Sequence, residues 1–281
     1  MHGDPAKSEI KSEEFVRIAR ETGNGSDSFF EAYCRLVAKR EDKPIWGEKT
    51  PRHVFCLKDV FERYPTAKVI CMVRDPRAVV ASYRDWKNQG GLDTEGNQEF
   101  LEAVKSEEQR AGASYNIVIA TTLWKATVNA MQAAQRATGA DRVVIQRYED
   151  VVLDPESSIR ELCGWIGIEY EPHMLSVPMQ NSSISAFSEE AGISSAPLER
   201  WRKTLSEHEI GVVQKVSGES LNNVGYKSVS VDVGLVSYLM EWAKVPFAFV
   251  GAAMVNKKRI AGIFPYVARR LRFALGAKRT W

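Results

Sequence analysis

The chain has 281 residues, 44% of them apolar and 26% charged, enough for one large globular domain or a domain with an appendage. Its net charge of +2 excludes the global basic bias of a nucleic-acid binder, so any phosphate chemistry must come from local placement of charge. Cys34, Cys56, Cys71 and Cys163 show neither a CxxC pair nor metal-ligand spacing, and are expected as buried free thiols in a reducing, cytoplasmic compartment. The histidines (His2, His53, His173 and His208) are scattered, so no metal is expected. The amino-terminal MHGDPAKSEIKSEEF lacks the apolar core of a signal peptide.

In chain order, residues 8–22 and 27–41 read as two helices separated by Gly23-Asn24-Gly25. Phe29, Phe30, Tyr33, Leu36 and Val37 predict an apolar face on the second. Ile45 to His53 is a short strand or turn leading to a helix with Thr50 as N-cap, Pro51 at its first position, and Val54, Leu57 and Phe61 on one face. Val69-Ile70-Cys71-Met72-Val73 is an unbroken apolar run, predicted to be a strand buried on both faces. It stops at Arg74-Asp75-Pro76, where Asp75 suits an N-cap and Pro76 the first helical position. A helix follows through Val79, Val80 and Tyr83. Ligands of open α/β sheets bind beyond the carboxyl ends of strands. An arginine there, with the hydroxyl of Ser82 on the next helix, suits the gripping of a phosphate. The plainer alternative makes Arg74 a surface ion-pair partner of Asp75 or Asp85, and Ser82 an incidental helix residue.

Residues 87–114 read as a polar surface excursion placed to form a lid. Residues 115–138 form a long helix that includes Trp124 and Met131 and ends at Gly139. Arg142 to Tyr148 is a second strand, followed by Glu149-Asp150 and a helix announced by Asp154-Pro155. Ile159, Leu162, Cys163 and Ile166 line that helix, and Gly167 stops it. Residues 176–197 are serine-rich loop. Ser206 and Glu209 form a capping box opening a helix that runs to about Leu221. Strands alternating with helices predict an α/β domain with a parallel sheet over 1–227, with a helical basic appendage at 228–281. Within the appendage, Val245–Val255 is apolar but interrupted by Pro246 and too short to span a membrane. Residues 257–281 carry eight basic side chains and no acidic one, with apolar residues between them. Two readings stand side by side: a solvated helix packed by its apolar stripe, or a peripheral contact with an anionic membrane surface.

Four stretches together resemble the sulfotransferase family that uses 3′-phosphoadenosine 5′-phosphosulfate (PAPS), especially its bacterial-type branch. They are Glu48-Lys49-Thr50-Pro51-Arg52-His53, Phe61 through Ser82, Arg147-Tyr148-Glu149-Asp150 with Asp154-Pro155, and Arg200-Trp201-Arg202 followed by Leu205-Ser206. The resemblance implies a P-loop-NTPase-like parallel sheet flanked by helices. It implies PAPS as co-substrate and transfer of a sulfuryl group to a hydroxyl of a carbohydrate, lipid or small alcohol. It also implies that Arg74 and Ser82 hold the 3′-phosphate of the nucleotide and that Tyr148 contacts adenine. Glu149 and Asp150 are expected to orient loops rather than do chemistry. Arg200 and Arg202 either add positive charge near the nucleotide or are solvated flank charges.

Sulfuryl transfer needs a base for the acceptor hydroxyl and a cation for the charge growing on the leaving phosphate. Lys49 aligns with the family's lysine and is the candidate cation. His53, in the first turn of its helix, and Glu48 compete for the role of base. The family opens with a strand and a Pro-x-x-Gly-Thr-Thr loop around the 5′-phosphosulfate, and neither that loop nor a GxxxxGK[ST] occurs in this sequence. The expectation is an N-terminally incomplete member, with the first strand and phosphate loop missing. The alternatives are a non-catalytic nucleotide- or partner-binding relative and, more remotely, a metabolite kinase.

Overall fold

The computed structural model describes residues 12–23, 25–88, 115–176 and 197–256, with a few isolated positions besides. The expected lid, apart from its first residues, most of the serine-rich loop, and the basic tail lie outside the described residues. Two compact units are present, one reaching to Arg52 and one starting at His53.

The first unit is a helical hairpin of α1 (Ser12–Thr22) and α2 (Ser26–Arg40), broken at the expected glycines. Lys39 reaches Glu14 at 2.9 Å, and the rings of Phe15 and Phe29 lie 6.0 Å apart. The inward face of α2 differs from the expected one. Phe29, Phe30 and Tyr33 are exposed, while Ser28, Glu31, Ala32 and Leu36 are buried. The reason is steric and electrostatic: small residues let the helix approach its neighbour, and the buried Glu31 is paired with Arg35 at 2.5 Å.

A 3-10 turn, Pro51–Cys56, runs across the boundary at Arg52 in place of the expected continuous α-helix, and α3 (Leu57–Arg63) follows it. Then come β1 (Val69–Val73), α4 (Pro76–Asn88), α5 (Ile117–Thr138) and β2 (Val143–Arg147). The strands pair in parallel, with Val69 opposite Val143 and Val73 opposite Arg147, which matches the predicted α/β class. Strand β2 ends one residue earlier than expected, because Tyr148 already opens α6 (Tyr148–Leu153). Next is α7 (Pro155–Ile166), capped by Asp154 accepting from the Ser157 N–H and closed by Gly167 in the left-handed conformation. A short α8 (Trp201–Thr204) precedes α9 (Glu207–Ser217), which opens with the expected capping box. That helix does not run on to Leu221. Gly218, at φ 56° and ψ −140°, breaks it, and α10 (Glu219–Asn223) resumes. Only glycine takes that conformation without strain. α11 (Leu235–Ala243) and α12 (Val245–Val255) follow, with Pro246 inside the first turn of α12, where it interrupts nothing.

Strand β1 is not buried on both faces. Cys71 and Val73 point into a core with Trp124, Val128, Met131 and Ala134 of α5, whereas Ile70 and Met72 are exposed. Successive strand side chains leave opposite faces of the sheet, and among the described residues α5 covers one of them. A second core joins Ala78, Val80 and Ala81 of α4, Ile117 and Val118 of α5, Trp201, and the buried residues of α9. Gly211 lets α9 approach residues 231–233, since a Cβ there would lie 2.0 Å from a methyl of Val233. No disulfide joins the cysteines. Cys71 and Cys163 are buried, while Cys34 and Cys56 are only half-buried, short of the expectation.

Candidate nucleotide-phosphate site

The site grows from the abrupt end of β1. Asp75 caps α4 as the sequence suggests, its Oδ1 accepting from the Arg77 N–H at 2.8 Å. The same carboxylate is gripped by the Arg77 side chain, with Nε 2.9 Å from Oδ1 and Nη2 2.6 Å from Oδ2. Both groups are buried. The Arg77 guanidinium lies 4.2 Å over the Trp201 ring and donates from Nη1 to Gln214 Oε1 at 3.1 Å. Gln214 in turn holds Val229, its Nε2 donating to the Val229 carbonyl at 3.0 Å and its Oε1 accepting from the Val229 N–H at 2.7 Å. One buried pair therefore ties the end of β1 to α8, α9 and the segment leading to α11.

This pairing decides what Arg74 does. Asp75 is committed to Arg77, so the ion pair considered between Arg74 and Asp75 does not form, and the side chain of Asp85, the other partner considered, lies outside what the structure describes. Half-buried, Arg74 faces no carboxylate among the described residues. Its guanidinium carbon sits 4.7 Å over the Tyr148 ring, and Nη2 makes a long contact of 3.4 Å with the Pro197 carbonyl. Its own carbonyl accepts from Trp124 Nε1 at 2.9 Å. The buried Nε has no hydrogen-bond partner among the described residues. A buried donor without a partner is rare in native proteins, and an acceptor atom brought to it would satisfy it. A guanidinium held over an aromatic ring, with one donor unpartnered, is suited to an oxyanion.

Glu149 performs the orienting role expected of it. Its Oε1 accepts from the Asp75 N–H at 3.0 Å and its Oε2 from the Tyr226 hydroxyl at 2.6 Å, so it clamps the turn from both sides. The Val73 carbonyl lies 3.2 Å from the same hydroxyl. Burial, and then the Glu149 carboxylate, push the Tyr226 phenol far above its usual range. Asp150 lies 3.8 Å from Arg147 Nε, and the Arg147 guanidinium sits over the Tyr226 ring at 4.8 Å.

Of the residues singled out from sequence, Arg74 and Tyr148 are brought into contact. Ser82 lies half-buried in the second turn of α4 and is not among the contacts of Arg74. Arg200 is half-buried just ahead of α8, in the segment whose Pro197 carbonyl meets Arg74. Arg202 pairs with Glu199 and lies over the Trp201 ring at 4.4 Å. Glu48 and Lys49 are exposed in the first unit, and His53 is exposed in the 3-10 turn that runs into the second. Sequence reasoning missed Arg77, Trp201 and Tyr226 as members of this scaffold. An arginine two residues after an N-cap aspartate is a local signal for the first. Tyr226 is 153 residues from Val73 and carried no signal.

Comparisons with known proteins place the chain in a family. The chain is 27% identical over 174 residues to carbohydrate sulfotransferase 3 of Tetronarce californica, an alignment covering 58% of this chain and 36% of that protein. It is 31% identical over 175 residues to carbohydrate sulfotransferase 3 of Homo sapiens, covering 57% and 33%. The chain thus spans about a third of the length of the curated relatives it matches. Among solved structures, the sulfotransferase domain from the curacin biosynthetic pathway superposes with a TM-score of 0.44 at 15% identity, covering 77% of this chain and 78% of that one. The model of the sulfotransferase family matches residues 10–172, more than half of the chain. The chain belongs to the sulfotransferase family.

Proposed function

We propose that this chain binds the 3′-phosphate end of PAPS at Arg74 and serves transfer of the sulfuryl group to a hydroxyl of a carbohydrate. The observation that carries the reading is the Arg74 guanidinium: half-buried, 4.7 Å over the Tyr148 ring, and facing no carboxylate among the described residues because Asp75 is taken by Arg77. Arg74 supplies the charge-assisted fork for the phosphate, and Tyr148 holds that fork in place. Ser82 adds a hydroxyl from α4, and Arg200 adds positive charge from the segment over the strand end. Carbohydrate as acceptor class follows the names of the relatives.

In the reaction proposed, the acceptor oxygen forms a bond to sulfur while the bond from sulfur to the 5′-phosphate oxygen breaks. The hydroxyl proton passes to His53 or Glu48, and Lys49 offsets the charge left on the departing phosphate. The products are a sulfate ester and 3′-phosphoadenosine 5′-phosphate.

Calorimetry of wild type and Arg74→Ala with 3′-phosphoadenosine 5′-phosphate and with 5′-AMP tests the binding half. Loss of one charge-assisted fork, roughly 1.5–3 kcal/mol, lowers affinity for the bisphosphate on the order of tenfold to a hundredfold and leaves 5′-AMP little changed. Equal affinity of Arg74→Ala and wild type for the bisphosphate refutes the assignment. Bisphosphate binding without transfer from labelled PAPS to any carbohydrate acceptor assigns the chain to the non-catalytic reading.

A further inference from the structure

At the end of the second unit, α11 and α12, joined through Lys244, turn apolar side chains outward. Their inward sides are accounted for. Tyr238 and Val245 pack against the core of α4, α5 and α9, and Phe249, Ala252 and Ala253 are buried. On the outer side of α11, Leu235, Val236, Leu239 and Met240 recur at i, i+1, i+4 and i+5, the spacing of one helical face. On α12, Phe247, Val250 and Met254 recur at i, i+3 and i+7, with Phe247 79% and Met254 68% exposed. Scattered single hydrophobic residues on a surface need no explanation, but a whole apolar face on each of two successive helices does. A helix that is apolar all round normally lies buried.

Charge indicates what covers these faces. The one carboxylate of the two helices, Glu241, is turned away from them and is held by Lys244 at 2.8 Å and by His208 at 3.3 Å. The outward faces themselves carry no charged side chain. The sequence continues directly into residues 257–281, with eight lysines and arginines and no aspartate or glutamate. A second copy carries the same positive sequence and is disfavoured by like charge, whereas an anionic bilayer has the opposite sign. Among the described residues no helix is long and apolar enough to cross a membrane.

We propose that α11 and α12 dock this protein on the surface of an anionic lipid membrane. Leu235, Leu239, Phe247, Val250 and Met254 enter the boundary between headgroups and acyl chains, and the positive charge of the sequence that follows favours anionic lipid. The inference stands independently of the nucleotide reading, because none of these residues belongs to the Arg74 site.

The test is flotation of the full chain with vesicles of phosphatidylcholine alone and of phosphatidylcholine mixed with phosphatidylserine. Wild type partitions onto the mixed vesicles on the order of tenfold or more tightly. Phe247→Asp and Met254→Asp, both at exposed positions, lower that partitioning on the order of tenfold while circular dichroism and the unfolding midpoint stay at wild-type values. Replacing Lys257, Lys258 and Arg259 by glutamate removes the preference for the mixed vesicles. The proposal is overturned if wild type floats with neither vesicle, or if the aspartate variants float as wild type does. It is equally overturned if light scattering shows a dimer that Phe247→Asp dissociates without any change in vesicle binding, which would make this face an interface between copies.

Discussion

Replacing Arg77 by methionine separates the scaffold of the site from its grip. The Asp75–Arg77 pair is nearly dry, with side-chain exposures of 9% and 4%. Methionine keeps most of the stem's volume, so the perturbation is chiefly loss of the guanidinium. Asp75 loses its bonds from Nε and Nη2 and retains one donor, the backbone N–H of residue 77 at 2.8 Å. A buried charge stripped of its partner costs about 3–5 kcal/mol. Loss of the contact over Trp201 and of the bond to Gln214 acts in the same direction. Urea unfolding followed by tryptophan fluorescence is expected to show a midpoint lower by roughly 1–2 M. Adding Asp75→Asn removes the stranded charge while keeping an N-cap. The double variant is therefore expected to recover roughly 1–3 kcal/mol of the loss. An Arg77→Met protein within about 1 kcal/mol of wild type, or a double variant no better than the sum of the singles, would refute the view that this pair organises the turn.

Two further outcomes follow from the same scaffold. Tyr226 is held protonated in the folded protein by burial and by Glu149, whereas an unfolded tyrosine ionises near about 10. Its contribution to stability is complete below that pH and is lost as pH rises above it, by about 1.4 kcal/mol per unit. Thermal melts between neutral and strongly alkaline pH should show this slope reduced in Tyr226→Phe, and an unchanged slope excludes Tyr226 as its source. Gly211→Ala places a methyl where α9 meets Val233, at a distance of 2.0 Å. It is expected to destabilise by about 1–3 kcal/mol in chemical denaturation. Adding Val233→Ala should relieve part of that, and no relief would mean the close approach is not the cause.

Much of the local structure was legible because its causes are local. The N-cap at Asp75 with Pro76 behind it, the cap of α7 at Asp154, the capping box of Ser206 and Glu209, and the strand at 69–73 all rest on residues within a few positions of one another. The arginine beyond the strand was recognisable for the same reason. Which side of an element is buried was less legible. Alternation in β1 and the inward face of α2 depend on what covers them, and an unbroken apolar run such as Val69–Val73 reads the same with one covered face or two.

By itself, the sequence determined the class of the fold, the strand–turn–helix around Arg74, and the four stretches that carry the family resemblance. Only the tertiary structure decided that Asp75 belongs to Arg77 and that Glu149 clamps the turn with Tyr226. It also decided that Arg74 lies over Tyr148 with its Nε unpartnered among the described residues. The physical reason is that a charge's partner is set by distance through space. Arg77 meets Gln214 across 137 positions and Tyr226 meets Glu149 across 77, separations over which no periodicity or motif carries information.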